Sequence, residues 1–299
     1  MPNIQDYVLW RGDLPIRQVP LCDVDALLLS YLSYMRYDGI VGDSFEGEGV
    51  RLADAAQELL DRNERDKMPL AYNAKEDRKL LAAMIQSVRF ADMRLVGYVN
   101  QVDDKAEEQF SGVTFLIGDG SAFVAFRGTD DAMVGWKEDF NMSFEMQVPA
   151  QRDAVTYVEK ASAALRCPLR VGGHSKGGNL AAYAGMFVSD ETREYIQTVY
   201  NFDGPGFNEA TISSPDFGKV DMRVRTFVPQ CSMVGILMWH REPFTIVRSD
   251  GVGVFQHDAY TWQIMGGSFL TLRERTGHSH FADNTIKHWL EELTPDMRR

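Results

Sequence analysis

Hydrophobic residues recur at intervals of three and four in the N-terminal part of the chain, which is the spacing of one face of an α-helix. The pattern is clearest over Asp23–Tyr37, where Asp23 is placed to cap the first turn. Two further helices are predicted at Leu52–Arg62 and Lys75–Arg89. We therefore predict a mainly helical N-terminal extension over residues 1–92, and we recognise no chemical motif in it.

Beyond this extension the pattern changes to short β-favouring runs, and Gly118-Asp119-Gly120 predicts a tight hairpin between two of them. Strands then alternate with helices, which is typical of a largely parallel sheet with helices on both faces. The predicted elements are strands at Arg94–Val102, Val113–Ile117, Ala122–Phe126, Leu169–Gly172, Thr198–Phe202, Arg223–Val228 and Phe244–Arg248, and helices at Gln151–Leu165, Gly177–Val188 and Asp283–Leu293. We predict one α/β catalytic domain over residues 93–299.

Composition excludes several classes of function. The chain of 299 residues has 31 Lys and Arg against 43 Asp and Glu, a formal net charge of -12, which repels phosphate backbones and makes nucleic acid an unexpected partner. Three widely spaced cysteines, Cys22, Cys167 and Cys231, provide neither a disulfide framework nor a cysteine metal site. No apolar run is long enough for a transmembrane segment, and the N-terminus lacks the features of a secretory signal. We expect a soluble cytoplasmic protein.

The strongest chemical motif is Gly173-His174-Ser175-Lys176-Gly177, a G-x-S-x-G sequence between a predicted strand and a predicted helix. A serine hydroxyl is a useful nucleophile when it stands clear of the backbone, beside a base and beside donors that stabilise an oxyanion. A sharp strand-to-helix turn provides that position, and its tight packing requires glycine two residues before and two residues after the serine. The motif predicts Ser175 as a catalytic nucleophile.

Several motifs in order resemble those of class 3 lipases, whose core is an alpha/beta-hydrolase fold. They are Phe126-Arg127-Gly128-Thr129, then Trp136 and Asp139, then Gly173 to Gly178, and the resemblance spans about residues 110–265. The segments Asn201 to Phe207 and Gln256-His257-Asp258, with Trp262, further resemble an uncharacterised bacterial branch of lipase-like hydrolases. The resemblance implies an alpha/beta-hydrolase fold with an N-terminal helical extension and a bacterial origin.

The resemblance also implies an oxyanion hole. In class 3 lipases the residue after R-G contributes to it, and here that residue is Thr129, through its backbone N–H and its hydroxyl. The second donor is expected to be the backbone N–H of Lys176, which follows the nucleophile. Arg127 and Asp139 are expected to form a supporting ion pair rather than to contact substrate.

The base is expected to be a histidine, because the fold requires the order serine, acid, histidine along the chain. This order excludes His174, to which we assign a structural role. We select His257, which lies in a loop after the last predicted strand and aligns with the family's histidine before a tryptophan, here Trp262. His278 and His280 are the alternatives, and their spacing suggests zinc only weakly because no third ligand is nearby. The downstream histidines are His240, His257, His278, His280 and His288.

The acid is the least determined member of the triad. Class 3 lipases place it after the strand that here is Arg223–Val228, in a D-x-V setting, but this chain has Ser232-Met233-Val234 there. Asp203 is the better candidate, because it ends the preceding predicted strand and is followed by a tight Gly-Pro-Gly loop. The alternatives are a structural Asp203 that caps its own turn, with Asp250, Asp258 or Ser232 as the partner of the histidine.

These residues predict a serine hydrolase that cleaves a carboxylic ester, lipid or thioester through an acyl-enzyme, with no cofactor and no metal. A peptidase or amidase uses the same machinery. The alternative is a catalytically inactive binding or scaffold protein. It is suggested by the lack of an aspartate where class 3 lipases place the acid, and by Lys176 where an apolar residue commonly follows the nucleophile. The apolar run Cys231–Trp239 is interpreted as the lining of an acyl pocket, a lid, or a buried helix or strand. No oligomeric state is predicted.

Overall fold

A computed structural model describes residues 1–71, 73–103, 108–129, 148–220 and 223–275. Several sequence predictions fall outside these ranges. They are the helix at Asp283–Leu293, the motif residues Trp136 and Asp139, and the histidines His278, His280 and His288.

The N-terminal region is helical, as the hydrophobic spacing predicts. Its first helix was not predicted from the sequence; Asn3 and Asp6 form a capping box at its start. The predicted cap of the second helix is wrong, because Cys22 is the N-cap and Asp25 accepts the Cys22 backbone N–H at 2.8 Å. The helices are α1 (Ile4–Arg11), α2 (Asp23–Leu32), α3 (Leu52–Arg65) and α4 (Ala74–Ile85).

One sheet dominates the part of the chain that the structure describes. Its strand order is β1-β2-β3-β4-β5-β6-β7-β8-β11, with β4 to β8 parallel and the remaining pairs antiparallel. A short hairpin, β9 and β10, lies beside it. The strands are β1 (Val50–Arg51), β2 (Arg94–Asp103), β3 (Glu108–Leu116), β4 (Ala122–Phe126), β5 (Leu169–His174), β6 (Ile196–Phe202), β7 (Val224–Pro229), β8 (Phe244–Val247), β9 (Ile264–Met265), β10 (Ser268–Phe269) and β11 (Thr271–Leu272).

Helices cover both faces of this sheet, and the alternation within a strand explains how. Successive strand residues point to opposite faces, so Phe123 packs in the core formed with α1 to α4, whereas Val124 packs in a second core on the other face. That second core contains α5 (Pro149–Leu165) and α6 (Lys176–Phe187), which precede and follow β5. The shorter helices are α7 (Asp190–Tyr195) and α8 (Glu209–Ile212).

The predicted α/β fold, with a largely parallel sheet between helical layers, is confirmed. The hairpin at Gly118-Asp119-Gly120 joins β3 to β4, and both glycines have a positive φ. The boundary at residue 92 between a helical extension and an α/β domain stays a prediction. In three dimensions α1 to α4 share one hydrophobic core with the sheet. Within the described ranges, no helix combines the length and hydropathy that a membrane crossing requires.

Candidate functional site

Ser175 lies in a strained turn between β5 and α6. Its φ of 58° and ψ of −136° are unusual for a residue with a side chain. The turn is held from the sheet side, because the Ser175 backbone N–H donates to the Phe202 carbonyl of β6 at 2.9 Å. The strand before it and the helix after it are those that the G-x-S-x-G motif requires.

The two flanking glycines are required by close backbone contacts. A Cβ at Gly177 would lie 2.1 Å from the Phe126 carbonyl oxygen, and a Cβ at Gly173 would lie 2.2 Å from the Gly177 carbonyl carbon. Real Cβ atoms do not approach other atoms this closely, and backbone cannot easily yield. A side chain at Gly177 would therefore force the turn away from β4, and a side chain at Gly173 would force the end of β5 away from the start of α6.

The segment that contains the expected oxyanion residue Thr129 runs close beside the turn. A Cβ at Gly128 would lie 2.9 Å from the Ser175 Cβ and 2.8 Å from the His174 carbonyl oxygen. Thr129 itself is buried. The predicted R-G-T stretch and the serine turn are thus neighbours in space, although 46 positions separate Thr129 from Ser175 in the sequence.

Lys176 is the first residue of α6, and its side chain is buried. Its Nζ donates to the Gln109 backbone carbonyl of β3 at 2.8 Å. The backbone N–H of Lys176 belongs to the first turn of the helix, where amide groups lack intrahelical acceptors and carry partial positive charge. The lysine side chain is therefore used within the fold, and the backbone is the part of Lys176 that suits an oxyanion.

His257 and Asp203 are hydrogen-bonded to each other. The His257 Nδ1 lies 2.7 Å from the Asp203 Oδ2, with the carboxylate fully buried and the imidazole 26% exposed. A carboxylate only accepts hydrogen bonds, so Nδ1 donates, and in the neutral form of the ring the lone pair is on Nε2. This is the tautomer that a general base needs.

The second oxygen of Asp203 is also occupied. Oδ1 accepts the Ser232 hydroxyl and, at 3.2 Å, the Gly235 backbone N–H. Asp203 has a φ of 51°, a left-handed conformation that aspartate tolerates better than most residues. Ser232, which the sequence offered as a partner of the histidine, instead donates to the carboxylate.

These contacts also correct one interpretation of the apolar run Cys231–Trp239. It forms turns rather than a helix or strand. The turns bring Ser232 and Gly235 to Asp203. Trp239 and Met233 remain substantially exposed, at 47% and 37%, so the pocket and lid interpretations stay predictions.

His174 is buried next to His257, with ring centroids 4.4 Å apart. Its Nε2 lies 2.8 Å from the His257 backbone carbonyl and must donate, since a carbonyl only accepts. Its Nδ1 lies 3.0 Å from the Tyr34 hydroxyl. Burial, and secondarily the neighbouring His257, lower the pKa of His174 well below its usual value, so the ring is neutral near pH 7. Nothing in the sequence indicated Tyr34.

The Ser175 hydroxyl makes no hydrogen bond within the described ranges, to His257 or to any other residue. Ser175 and His257 are connected through His174, which precedes the serine and donates to the His257 backbone carbonyl. Hydrogen bonds between nucleophile and base are often longer without substrate and tighten when it binds. The structure therefore joins His257 to Asp203 and to His174, and it shows no direct hydrogen bond between Ser175 and His257.

The alternative candidates in the described ranges have other partners. Asp250 binds the terminal amine and Gln263, and Asp258 accepts the Tyr260 backbone N–H. His240 pairs with Glu242 at 3.1 Å. Arg127 donates to Asn100 at 3.0 Å, while its expected partner Asp139 lies outside the described residues. No group of three or more His, Cys, Asp or Glu in the described ranges could hold a metal ion.

Solved structures similar to this chain include fungal lipases, all at low sequence identity. Lipase II from Rhizopus niveus is 14% identical, with a TM-score of 0.43, over 66% of this chain and 77% of that one. A mutant form of MDLA from Penicillium cyclopium is 12% identical, with a TM-score of 0.44, over 83% and 86%. A triacylglycerol lipase from Penicillium expansum is 13% identical, with a TM-score of 0.39, over 62% and 82%. Likeness at this level indicates neither the activity nor the substrate of this chain.

No curated protein sequence matches the chain. A family model does: the model described as Mbeg1-like matches residues 84–299, which include the serine turn, Asp203 and the loop of His257. This match covers more than half of the 299 residues. The chain therefore belongs to the Mbeg1-like family.

Proposed function

We propose that this protein is a serine hydrolase that cleaves a carboxylic ester, lipid or thioester, with Ser175 as nucleophile, His257 as base and Asp203 as acid. The observation on which the proposal depends most is the 2.7 Å contact between His257 Nδ1 and Asp203 Oδ2 beside the strained serine turn. A buried carboxylate that fixes an imidazole tautomer next to such a turn has a direct chemical use in acyl transfer.

The proposed reaction has two halves. Ser175 Oγ attacks the acyl carbonyl while His257 Nε2 takes its proton, and Asp203 stabilises the imidazolium that forms. The oxyanion is stabilised by the backbone N–H groups of Lys176 and Thr129. The imidazolium then protonates the leaving alcohol or thiol, which leaves an acyl-enzyme. Water, deprotonated by His257, releases the acid and restores the serine.

Labelling by a fluorophosphonate probe tests the nucleophile, because such probes react with activated serines. The wild-type protein should be labelled, and Ser175→Ala should abolish the labelling. The exposed Ser213 provides a control, since Ser213→Ala should leave labelling unchanged. His257→Gln should slow labelling at least about 100-fold, the lower range of general-base contributions. Labelling that persists in Ser175→Ala would reject the assignment.

Hydrolysis of p-nitrophenyl esters of different chain length separates this proposal from a non-catalytic binding or scaffold role. A hydrolase should turn over at least one ester in a manner that depends on Ser175. A folded wild-type protein that neither reacts with the probe nor hydrolyses any ester would favour the scaffold function. Parallel assays with thioester and amide substrates would identify the acyl class.

A further inference from the structure

The segment that contains His257, residues 253–262, is held by residues of the N-terminal helices. Three residues after His257, the Tyr260 hydroxyl donates to Asp77 of α4 at 2.9 Å. Tyr31 of α2 donates to the same carboxylate oxygen at 2.8 Å, and its ring packs edge-on against Tyr260 at 4.9 Å. One buried carboxylate therefore joins α2, α4 and the His257 segment.

The surroundings of Asp77 make this junction specific. The carboxylate is fully buried, and its other oxygen accepts the Asn73 backbone N–H at 3.1 Å. Burial raises the pKa of both phenols, so Tyr31 and Tyr260 remain protonated and act as donors. Burial also raises the pKa of Asp77, and the hydrogen bonds from the two phenols oppose that rise. A buried polar cluster in which each member has a partner favours one arrangement of the elements that it joins.

The segment is fixed on both sides of the imidazole. At His257 itself, the backbone carbonyl accepts from His174, which in turn contacts Tyr34 just after α2. Within the segment, Trp262 Nε1 donates to the Gln256 carbonyl at 2.9 Å and closes the chain around His257. The anchors to the N-terminal helices reach Asp77 directly and Tyr34 through His174. Further bonds, at Gln256 and Thr261, hold the segment to the neighbouring loops.

We propose that the N-terminal helices position His257, through the hydrogen bond from Tyr260 to Asp77, and so act on catalysis as well as on folding. The inference rests on the proposed hydrolase function. Asp77, Tyr31 and Tyr260 are positioning residues, since they act through the segment and not on substrate. Displacement of a catalytic group by about 1 Å can reduce a rate by about 100-fold. The helices thus complete the site rather than form a separate accessory layer.

Tyr260→Phe tests the proposal, because it removes one hydroxyl and keeps the ring that packs on Tyr31. The chain offers a matched control in Tyr7, whose hydroxyl donates at 2.9 Å to another buried carboxylate, Asp25. Both tyrosines are buried, and Tyr7 bonds to Asp25 and Cys22, neither of which belongs to the His257 segment. Each variant removes a hydrogen bond from a tyrosine hydroxyl to a buried carboxylate of an N-terminal helix.

Steady-state kinetics on a p-nitrophenyl ester should separate the two variants. We expect Tyr260→Phe to lower kcat by roughly 10-fold or more with KM nearly unchanged, and Tyr7→Phe to stay within about 2-fold of wild type, at similar losses of thermal stability. Equal kcat values in the two variants, or a loss that appears only in KM, would overturn the proposal.

A second measurement needs no substrate and keeps the two proposals distinguishable. The His257 Nδ1–H proton, assigned by its absence in His257→Gln, gives a hydrogen-bonded NMR signal that reports the contact with Asp203. Tyr260→Phe should shift or broaden this signal, and Tyr7→Phe should not. If the wild type hydrolyses no ester, the hydrolase proposal fails, and the NMR comparison still decides positioning: an unchanged signal in Tyr260→Phe would reject it.

Discussion

The imidazole of His257 and the carboxylate of Asp203 meet at 2.7 Å, although 54 positions separate them in the sequence. Asp203 directly follows the strand β6, and His257 ends a short 3-10 helix, Gly253–His257, beyond β8. The pairing gives the histidine one protonation pattern, Nδ1–H toward the carboxylate and a free lone pair on Nε2. Asp203, the acid in the proposed function, follows the strand before the one after which class 3 lipases place theirs.

Asp203→Asn should lower kcat by about 10³- to 10⁴-fold. The amide presents a donor as well as an acceptor, so it no longer selects the Nδ1–H tautomer or stabilises the imidazolium. The measurement is ester hydrolysis near neutral pH, with folding checked by thermal denaturation. Asp250→Asn is the control, because Asp250 is half-exposed and forms an ion pair with the N-terminal amine rather than a bond to His257. A comparable loss in both variants would contradict the assignment of Asp203.

Ser232→Asp should partly restore activity to Asp203→Asn. The Ser232 hydroxyl contacts the Asp203 carboxyl, so an aspartate at position 232 can bring a carboxylate into the same space near His257. Asparagine at position 203 keeps a residue that tolerates the left-handed backbone there. We expect the double variant to exceed Asp203→Asn in kcat by about 10-fold or more, an effect of roughly 1.4 kcal/mol.

The single variant Ser232→Ala serves as the comparison for that experiment. It removes one donor from Asp203 and leaves the bond to His257, so its kcat should fall by about 10-fold or less, in the range of one ordinary hydrogen bond. A double variant no more active than Asp203→Asn would show that a carboxylate at position 232 does not reach the imidazole.

The sequence was informative where one local pattern determines the structure. The pattern predicts the strand Ala122–Phe126 with its observed bounds, and the glycines around Ser175 predict the turn. Both depend on neighbours in sequence, through alternation in one case and close backbone packing in the other.

Contacts between distant residues could not be predicted in this way. Tyr34 and His174 are 140 positions apart, and Tyr260 and Asp77 are 183 apart. Each of these residues has an ordinary alternative as a core or surface residue, and only the packing of α2 and α4 against the His257 segment brings them together. Asp203 can be selected from the sequence because it follows a predicted strand and precedes a Gly-Pro-Gly loop. No feature of the residue pattern indicates that Ser232 donates to Asp203.

Gly177→Ala should destabilise the protein by about 3 kcal/mol or more, since the new methyl would overlap the Phe126 carbonyl oxygen at 2.1 Å. Urea denaturation measures the loss. Gly218→Ala is the matched control, because a Cβ there meets no atom within 4 Å, and its effect should stay within about 0.5 kcal/mol. Equal free energies of unfolding for the two variants would contradict the packing of β4 against the serine turn.

His174 should make the folded state sensitive to mild acid. Its pKa is lowered by burial in the folded protein and is about 6.5 when unfolded, so below that pH the unfolded chain binds a proton that the folded chain does not bind. The stability that His174 contributes is therefore fully present above about pH 6.5 and is lost as the pH falls toward the folded-state pKa, at up to about 1.4 kcal/mol per pH unit.

His174→Gln isolates this effect, because glutamine can still donate to the His257 carbonyl but does not titrate. Urea denaturation at about pH 7.5 and about pH 5.5 should show wild type losing roughly 1 kcal/mol more than His174→Gln over this interval. Other titrating groups are shared by the two proteins, so their effects cancel in the difference. If the two stabilities changed in parallel between these pH values, the assignment of His174 as a buried imidazole that resists protonation would be wrong.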